Sequence, residues 1–149
     1  MSHVDKQARE QVDVRIRWVT YINPTDGNDH AFGTCVFGDY VAVVGGASSK
    51  QYVALLRKSD GSIVRDWIGD GGMFFDCIST GERLYVVGNT GLLYGVIYVF
   101  DENLNILERT IKKSFSNYFS LAYDGKALYI GGVAGEDADG DGEPELVGL

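Results

Sequence analysis

The sequence has no cluster of lysine or arginine residues. Among its 149 residues 13 are basic and 21 are acidic, so the formal net charge is −8. Much of this charge is local, because six acidic residues and no basic residue lie between Glu136 and Glu145. Without a basic surface, neither a nucleic acid nor an anionic membrane is expected as a partner.

Long apolar segments are also missing. The most apolar run, Leu92–Phe100, has nine residues, which is too short for a helix that crosses a bilayer. Residues 1–13 are predicted to be a polar tail, and no apolar segment of a secretory leader is visible there. This favours the cytoplasm, although a calcium loop of low charge would suit extracellular calcium, so the location stays open.

Histidine and cysteine are scarce, with two of each in the chain. They cannot supply a zinc set, and no C-x-x-C motif is present. The chain has no G-x-S-x-G motif, and His30 is the only histidine outside the N-terminal tail. These absences give an enzyme little support and favour a non-enzymatic role.

What the sequence has instead is a repeated unit. An apolar run, a turn with glycine and a second apolar run ending on glycine occur at Cys35–Gly45, Cys77–Gly88 and Leu121–Gly132. Each unit is typical of a tight β-hairpin. From Tyr40 and Arg83 onward, the first two copies align at a constant offset of 43 residues.

Four strands at this period are the signature of a β-propeller blade. We therefore predict an all-β fold, a β-propeller with about three four-stranded blades over residues 32–68, 74–111 and 118–149, the last incomplete. An all-β sandwich with accidental internal similarity is the alternative. The predicted blade strands are Phe32–Phe37, Tyr40–Val44, Gln51–Arg57, Ser62–Ile68, Phe74–Ser79, Arg83–Val87, Gly95–Phe100, Ile106–Ile111, Tyr118–Tyr123, Lys126–Ile130 and Glu145–Leu149.

The repeats resemble the bacterial and archaeal β-propeller repeat family of the SBBP type. The resemblance rests on Gly38–Val41, Asp124–Tyr129 and Asp60–Trp67, and it covers about residues 14–149. It implies a fold more than an activity. The second copy departs from the pattern, with Thr110 in the place of the tryptophan and Leu104 in the place of the turn glycine.

The predicted chain begins with the outer strand of one blade, so its blades are offset by one strand. Residues 14–22 alternate apolar and charged side chains at their start, which predicts an outer strand without a blade of its own. The last blade lacks such a strand, and three blades are too few for a closed ring. We expect a homodimer in which each strand 14–22 completes the partner's last blade in a six-bladed ring. The alternative is a fragment of a longer propeller.

The acidic segment near the C-terminus matches D-x-D-x-D-G-x-x-[D/E]. Carboxylates at its first, third and fifth positions can converge on Ca²⁺, and Gly142 permits the sharp turn. The glutamate of an EF-hand is missing, and the pattern looks like the calcium loop of FG-GAP propellers. A solvated acidic hairpin tip is the alternative. The predicted Ca²⁺ ligands are Asp137, Asp139, Asp141, Glu143 and Glu145.

A second candidate site is the long polar loop Asn23–His30, which precedes the first blade. Long loops on a rigid scaffold often carry binding residues. In the propeller it would share a face with the predicted loop Ile68–Met73 and with the acidic segment. A plain polar loop capped by its own side chains is the alternative. The predicted ligand-facing residues are Asp26, Asn28, Asp29, His30 and Asp70.

Two further pairs take equivalent places in the predicted blades. Cys35 and Cys77 lie in entering strands and are expected to be buried free thiols, because a disulfide requires Cα atoms within about 7 Å. Trp18 and Trp67 lie in outer strands, where they could stack on sugars or pack at the rim. Together these features predict a non-enzymatic module that binds a protein or glycan through its loop-rich face. A hydrolase or lyase using calcium or the central funnel is the alternative.

Overall fold

The computed structural model describes residues 14–135 and 145–148, and for residues 113, 114 and 145–148 it describes the backbone alone. The described residues form nine strands and no helix, and so include no helix that could cross a membrane. The strands are β1 (Asp29–Phe37), β2 (Tyr40–Ala47), β3 (Lys50–Arg57), β4 (Ile63–Thr80), β5 (Arg83–Thr90), β6 (Tyr94–Phe100), β7 (Ile106–Tyr123), β8 (Leu128–Ala134) and β9 (Glu145–Gly148).

Every strand pairs antiparallel with the next one along the chain, from β1 to β9. The resulting sheet is curled into a half-barrel. The prediction of an all-β fold is therefore confirmed. The short turns follow from the sequence, since Gly38 and Gly81 adopt the positive φ angles of 59° and 67° that tight hairpin turns require.

The two longest strands change partners halfway along. The first part of β4 pairs with β3 up to Gly71, and from Gly72 onward β4 pairs with β5. In the same way β7 pairs with β6 up to Phe115 and with β8 from Ser116. The pairing thus divides the sheet into a first strand group (β1 to residue 71), a second (residue 72 to 115) and a third (residue 116 to β9).

Each group begins with a β-bulge at a phenylalanine. Phe32 in β1, Phe75 in β4 and Phe119 in β7 are each skipped in the pairing register with the following strand. A bulge bends its strand and increases the local twist. The three bulges therefore contribute to the curl of the sheet.

The main core lies between the first and second groups. Val44 and Leu55 from the first group pack with Phe74, Val86 and Val96 from the second, and all five side chains are fully buried. A smaller cluster with Val87, Tyr118 and Ile130 joins the second group to the third. The groups therefore pack face to face although the chain runs through them as one sheet.

Two predicted features differ from the structure. Residues 68–73 were expected to form a loop, but they belong to the continuous strand β4. Gly72 makes this possible, because its φ of 125° lets the strand bend from one partner to the next without leaving the sheet. Residues 14–22 form no strand in the single chain, and their predicted pairing with a second copy stays a prediction.

Candidate functional site

A groove opens where β4 passes from the first group to the second. We call it the inter-sheet groove; it has a volume of about 350 Å³. The hydrogen bond from the Gly91 main-chain N to the Gly71 carbonyl, 2.7 Å long, holds its two sides together. The side chains on which its chemistry depends are those of Gln51, Asp70, Leu92, Tyr98, Arg109 and Ile111.

Gln51 is the buried polar residue of the groove. The residue is 1% exposed, and its Nε2 donates a hydrogen bond to the Asn89 carbonyl at 2.9 Å. Within the part of the chain that the structure describes, its Oε1 accepts no hydrogen bond. A buried polar atom without a partner is costly to the folded state.

Asn89, next to the groove residue Thr90, joins several strands. Its Oδ1 accepts a hydrogen bond from the Met73 main-chain N at 3.0 Å, and its Nδ2 donates to Asn117 Oδ1 at 2.6 Å. Together with the bond from Gln51, these contacts link β3, β4, β5 and β7 at one end of the half-barrel. The polar side chains there are consequently held rigidly rather than free to reorient.

Charges of both signs line the groove. Asp70 and Arg109 are exposed, and Arg109 lies opposite Tyr98 in the pairing of β6 with β7. The Arg109 guanidinium lies over the Tyr98 ring, 6.0 Å from its centroid, which is within cation–π range. Tyr98 in turn packs on Trp67 and Phe100, so the aromatic wall is part of the core.

The predicted polar loop is capped by its own carboxylate. Asp29 accepts hydrogen bonds from the Thr25 hydroxyl at 2.6 Å and from the Thr25 main-chain N at 3.3 Å. The Asn28 carbonyl accepts a hydrogen bond from the Ser48 main-chain N at 3.0 Å. These contacts are those of a self-capped turn, the alternative that the sequence left open.

The five predicted ligand-facing residues are divided between two places. Asp29 and His30 line a small cavity of about 40 Å³ beside Tyr52, while Asp70 lines the inter-sheet groove. Asp26 and Asn28 are exposed in the loop and line neither. Their role in binding stays a prediction, and the larger of the two spaces is the one that contains Asp70.

Most of the predicted calcium ligands lie outside the described residues. These are Asp137, Asp139, Asp141 and Glu143, whereas the backbone of Glu145 pairs with Ala134 at the start of β9. The acidic segment therefore connects β8 and β9 along the chain. Within residues 14–135, no group of three or more histidine, cysteine, aspartate or glutamate side chains is arranged to hold a metal ion.

The three bulged phenylalanines form a row that sequence reasoning missed. Ring centroids are 5.3 Å apart for Phe32 and Phe75 and 5.0 Å apart for Phe75 and Phe119, and His30 stacks on Phe32 at 5.7 Å. Phe32 and Phe119 remain 47% and 44% exposed. The recurrence of phenylalanine at offsets of 43 and 44 residues is the signal that could have identified this row.

Cys35 and Cys77 are both free thiols, with Cys77 buried. Their predicted equivalence is off by one residue. Cys35 pairs with Ala42, and the residue 43 positions after Ala42 is Tyr85. Tyr85 pairs with Ile78, so Ile78 and not Cys77 is the equivalent of Cys35. A shift of one residue turns a side chain to the other face of the sheet. The two thiols therefore face each other across the core, and their hydrogen bond, together with burial, raises the pKa of Cys77 well above its usual range.

The two tryptophans contact their neighbours in similar ways. Trp67 packs on Phe74 and Phe100 with ring centroids 5.9 and 5.2 Å apart, so it is a packing residue rather than an open platform. Trp18 packs on the first group, and its Nε1 donates a hydrogen bond to the Lys58 carbonyl at 2.9 Å.

No model of a known protein family matches the chain, and no curated protein matches it.

Proposed function

We propose that the chain is a non-enzymatic binding module of the β-propeller type, and that two copies close a six-bladed ring. The ligand would bind at the end of the strands that contains the inter-sheet groove and loop 23–30. A propeller of this kind supplies a rigid scaffold on which turns and loops form the binding surface.

The observation that carries the proposal is the position of residues 14–22. Their alternating residues Trp18 and Ile22 pack on Tyr52, Ala54 and Leu56 of the first group, on the face turned away from the second group. The first part of β4 packs on the second group in the same manner, through Trp67. This likeness supports the proposal that residues 14–22 act as the outer strand of a preceding blade.

The same segment has exposed apolar side chains. Val14, Ile16 and Tyr21 are 85%, 84% and 90% exposed. Between residues 16 and 22, no main-chain group makes a backbone hydrogen bond to another described residue. A segment with exposed apolar side chains is suited to strand addition on an exposed sheet edge.

The matching edge is β9, which in the described sheet pairs with β8 alone. In a two-fold arrangement, the segment of each copy would pair with β9 of the other, so that both contacts form or neither does. This exchange would give each third group its fourth strand. The ring would then hold two inter-sheet grooves on one face.

The test is the native mass at low micromolar concentration with calcium present. We expect twice 16.3 kDa. Val19→Pro should shift the chain towards the monomer, because proline removes a main-chain donor that strand pairing needs, while Val19→Ala should remain dimeric. Val19 is exposed, so neither change disturbs the core. A folded monomeric wild type, or a Val19→Pro variant that dimerises as the wild type does, would contradict the ring.

A further inference from the structure

We propose that Cys35 and Cys77 are an oxidation site, at which a peroxide converts the two thiols into a disulfide that joins the first strand group to the second. Both cysteines are free in the structure, Cys35 partly exposed and Cys77 buried. They belong to β1 and β4, which are not paired with each other in the described sheet. The disulfide would therefore add a covalent link between two groups that pack face to face. It forms within one chain and does not depend on the proposed ring.

The first argument is the close approach of β1 and β4 on both sides of the two cysteines. On one side, a Cβ on Gly33 would lie 2.7 Å from the Phe75 carbonyl oxygen, so the two backbones are nearly in contact. On the other side, the Ser79 hydroxyl donates a hydrogen bond to the Val36 carbonyl at 2.5 Å. The cysteines lie between these two contacts. Such a spacing suits a disulfide, which requires Cα atoms within about 7 Å.

The second argument is the direction of the two side chains. Cys77 belongs to the main core between the groups, and Cys35 packs against that core from the opposite side. The hydrogen bond between the thiols, together with burial, raises the pKa of Cys77 well above its usual range. Two sulfur atoms that share a hydrogen bond are already neighbours, so the link needs little movement of either strand.

The reaction begins at Cys35, because it is the more accessible thiol and a thiolate is the nucleophile. The Cys35 thiolate attacks one oxygen of hydrogen peroxide and the O–O bond breaks. Cys35 becomes a sulfenic acid, and the departing hydroxide takes up the thiol proton as water. The Cys77 sulfur then attacks the Cys35 sulfur, the S–O bond breaks, and a second water carries away the Cys77 proton. Two thiols are thus oxidised to one disulfide while the peroxide is reduced to two waters.

The experiment compares the full chain treated with hydrogen peroxide near neutral pH with the chain kept in dithiothreitol. Trypsin cleaves after lysine and arginine, so it releases residues 18–50 with Cys35 and residues 66–83 with Cys77 as separate peptides. In the oxidised chain we expect these two peptides to stay joined until they are reduced. Oxidation should also raise the thermal midpoint by about 5 °C or more, because the link closes a long loop in the unfolded chain. Dithiothreitol should reverse both effects.

Cys35→Ser and Cys77→Ser should each abolish the joined peptides and the rise of the midpoint. The matched control is Cys35→Ser combined with Val36→Cys, which keeps two thiols but moves one of them to the other face of β1, where Val36 is 58% exposed. This control should form no disulfide within the chain.

Three results would overturn the inference. They are two thiols that still titrate after peroxide treatment, a disulfide that joins two chains instead of one, and a shifted control that cross-links as readily as the wild type. A joined wild type whose thermal midpoint does not rise would show that the link does not hold the two groups together.

Discussion

The Asp76 carboxylate on β4 reaches β7, where its Oδ2 accepts a hydrogen bond from the Leu121 main-chain N at 3.0 Å. Its Oδ1 accepts a second hydrogen bond, from the Cys77 main-chain N at 2.9 Å. The Ser79 hydroxyl makes a comparable link to β1 by donating to the Val36 carbonyl at 2.5 Å. Side chains thus connect β4 to β7 and to β1, strands with which it does not pair.

Asp76→Ala should lower the free energy of unfolding by about 1–3 kcal/mol, because it leaves two partly buried main-chain donors without their acceptor. Asp76→Asn keeps one side-chain oxygen and should cost less than the alanine variant. Urea unfolding at a fixed protein concentration measures both losses of stability. The dependence of the unfolding free energy on urea concentration should not change. Two variants of equal stability to the wild type would show that the bridge between β4 and β7 contributes nothing.

Gly72→Ala tests the bend at which β4 changes partners. Gly72 has a φ of 125°, and a Cβ there would meet the Asn89 carbonyl oxygen and the Thr90 backbone. We expect a loss of at least about 2 kcal/mol in the free energy of unfolding, since an unusual backbone conformation and a steric clash add together.

Gly71→Ala is the control for this bend, because the adjacent residue has room for a methyl group. A Cβ on Gly71 would lie 3.5 Å from the nearest atoms of Gly91, an ordinary van der Waals contact. Its stability should remain close to that of the wild type. If the two alanine variants were equally stable, the partner change would not depend on the conformation of Gly72.

Much of the strand pattern could be predicted from the sequence because its turns depend on local chemistry. The turn at Asp60–Gly61 is an example. The Asp60 carboxylate accepts hydrogen bonds from the Ser62 main-chain N at 2.9 Å and from the Ser62 hydroxyl at 2.6 Å, which lower the pKa of Asp60. Gly61 supplies a φ of 74°. Both effects act between neighbours in the sequence, so they are visible there.

The continuous strand through residues 68–73 could not be predicted in the same way. Gly69, Gly71 and Gly72 suggest a loop when only local preferences are considered. Their strand conformation depends on distant partners, Lys50 and Thr90, which pair with Gly71 and Gly72. The inter-sheet groove was missed for the same reason, since Gln51 and Arg109 lie 58 positions apart in the chain.

Tyr52→Phe tests a buried hydroxyl and its pH dependence. Tyr52 is 4% exposed, and its hydroxyl donates a hydrogen bond to Asp66 Oδ2 at 3.0 Å. Burial first, and then the bond and the charge of Asp66, raise the pKa of Tyr52 well above its usual value. At pH 7 the substitution should cost about 1 kcal/mol, the usual net contribution of one hydrogen bond.

The pH dependence has a definite sign. Above the ordinary tyrosine pKa of about 10, the unfolded chain releases the proton while the folded chain keeps it. The unfolded state then binds fewer protons, so stability that is complete below pH 10 falls as the pH rises further. Urea unfolding at pH 7 and at pH 11 should show a smaller alkaline loss for Tyr52→Phe than for the wild type. An equal alkaline loss of stability in the variant and the wild type would contradict the raised pKa of Tyr52.

The acidic segment between β8 and β9 gives the last prediction, the binding of Ca²⁺. Asp137, Asp139 and Asp141 lie two residues apart, a spacing that lets three carboxylates share one cation. Calcium at a hundred times its Kd should stabilise the folded chain by about 2.7 kcal/mol, which a calcium titration followed by thermal unfolding would detect.

A double variant, Asp139→Asn with Asp141→Asn, should lose this response because it removes two of the negative charges that attract the ion. Asp26→Asn, a similar change in the N-terminal loop, should retain it. A thermal midpoint that calcium does not change would leave the acidic segment as a solvated hairpin tip.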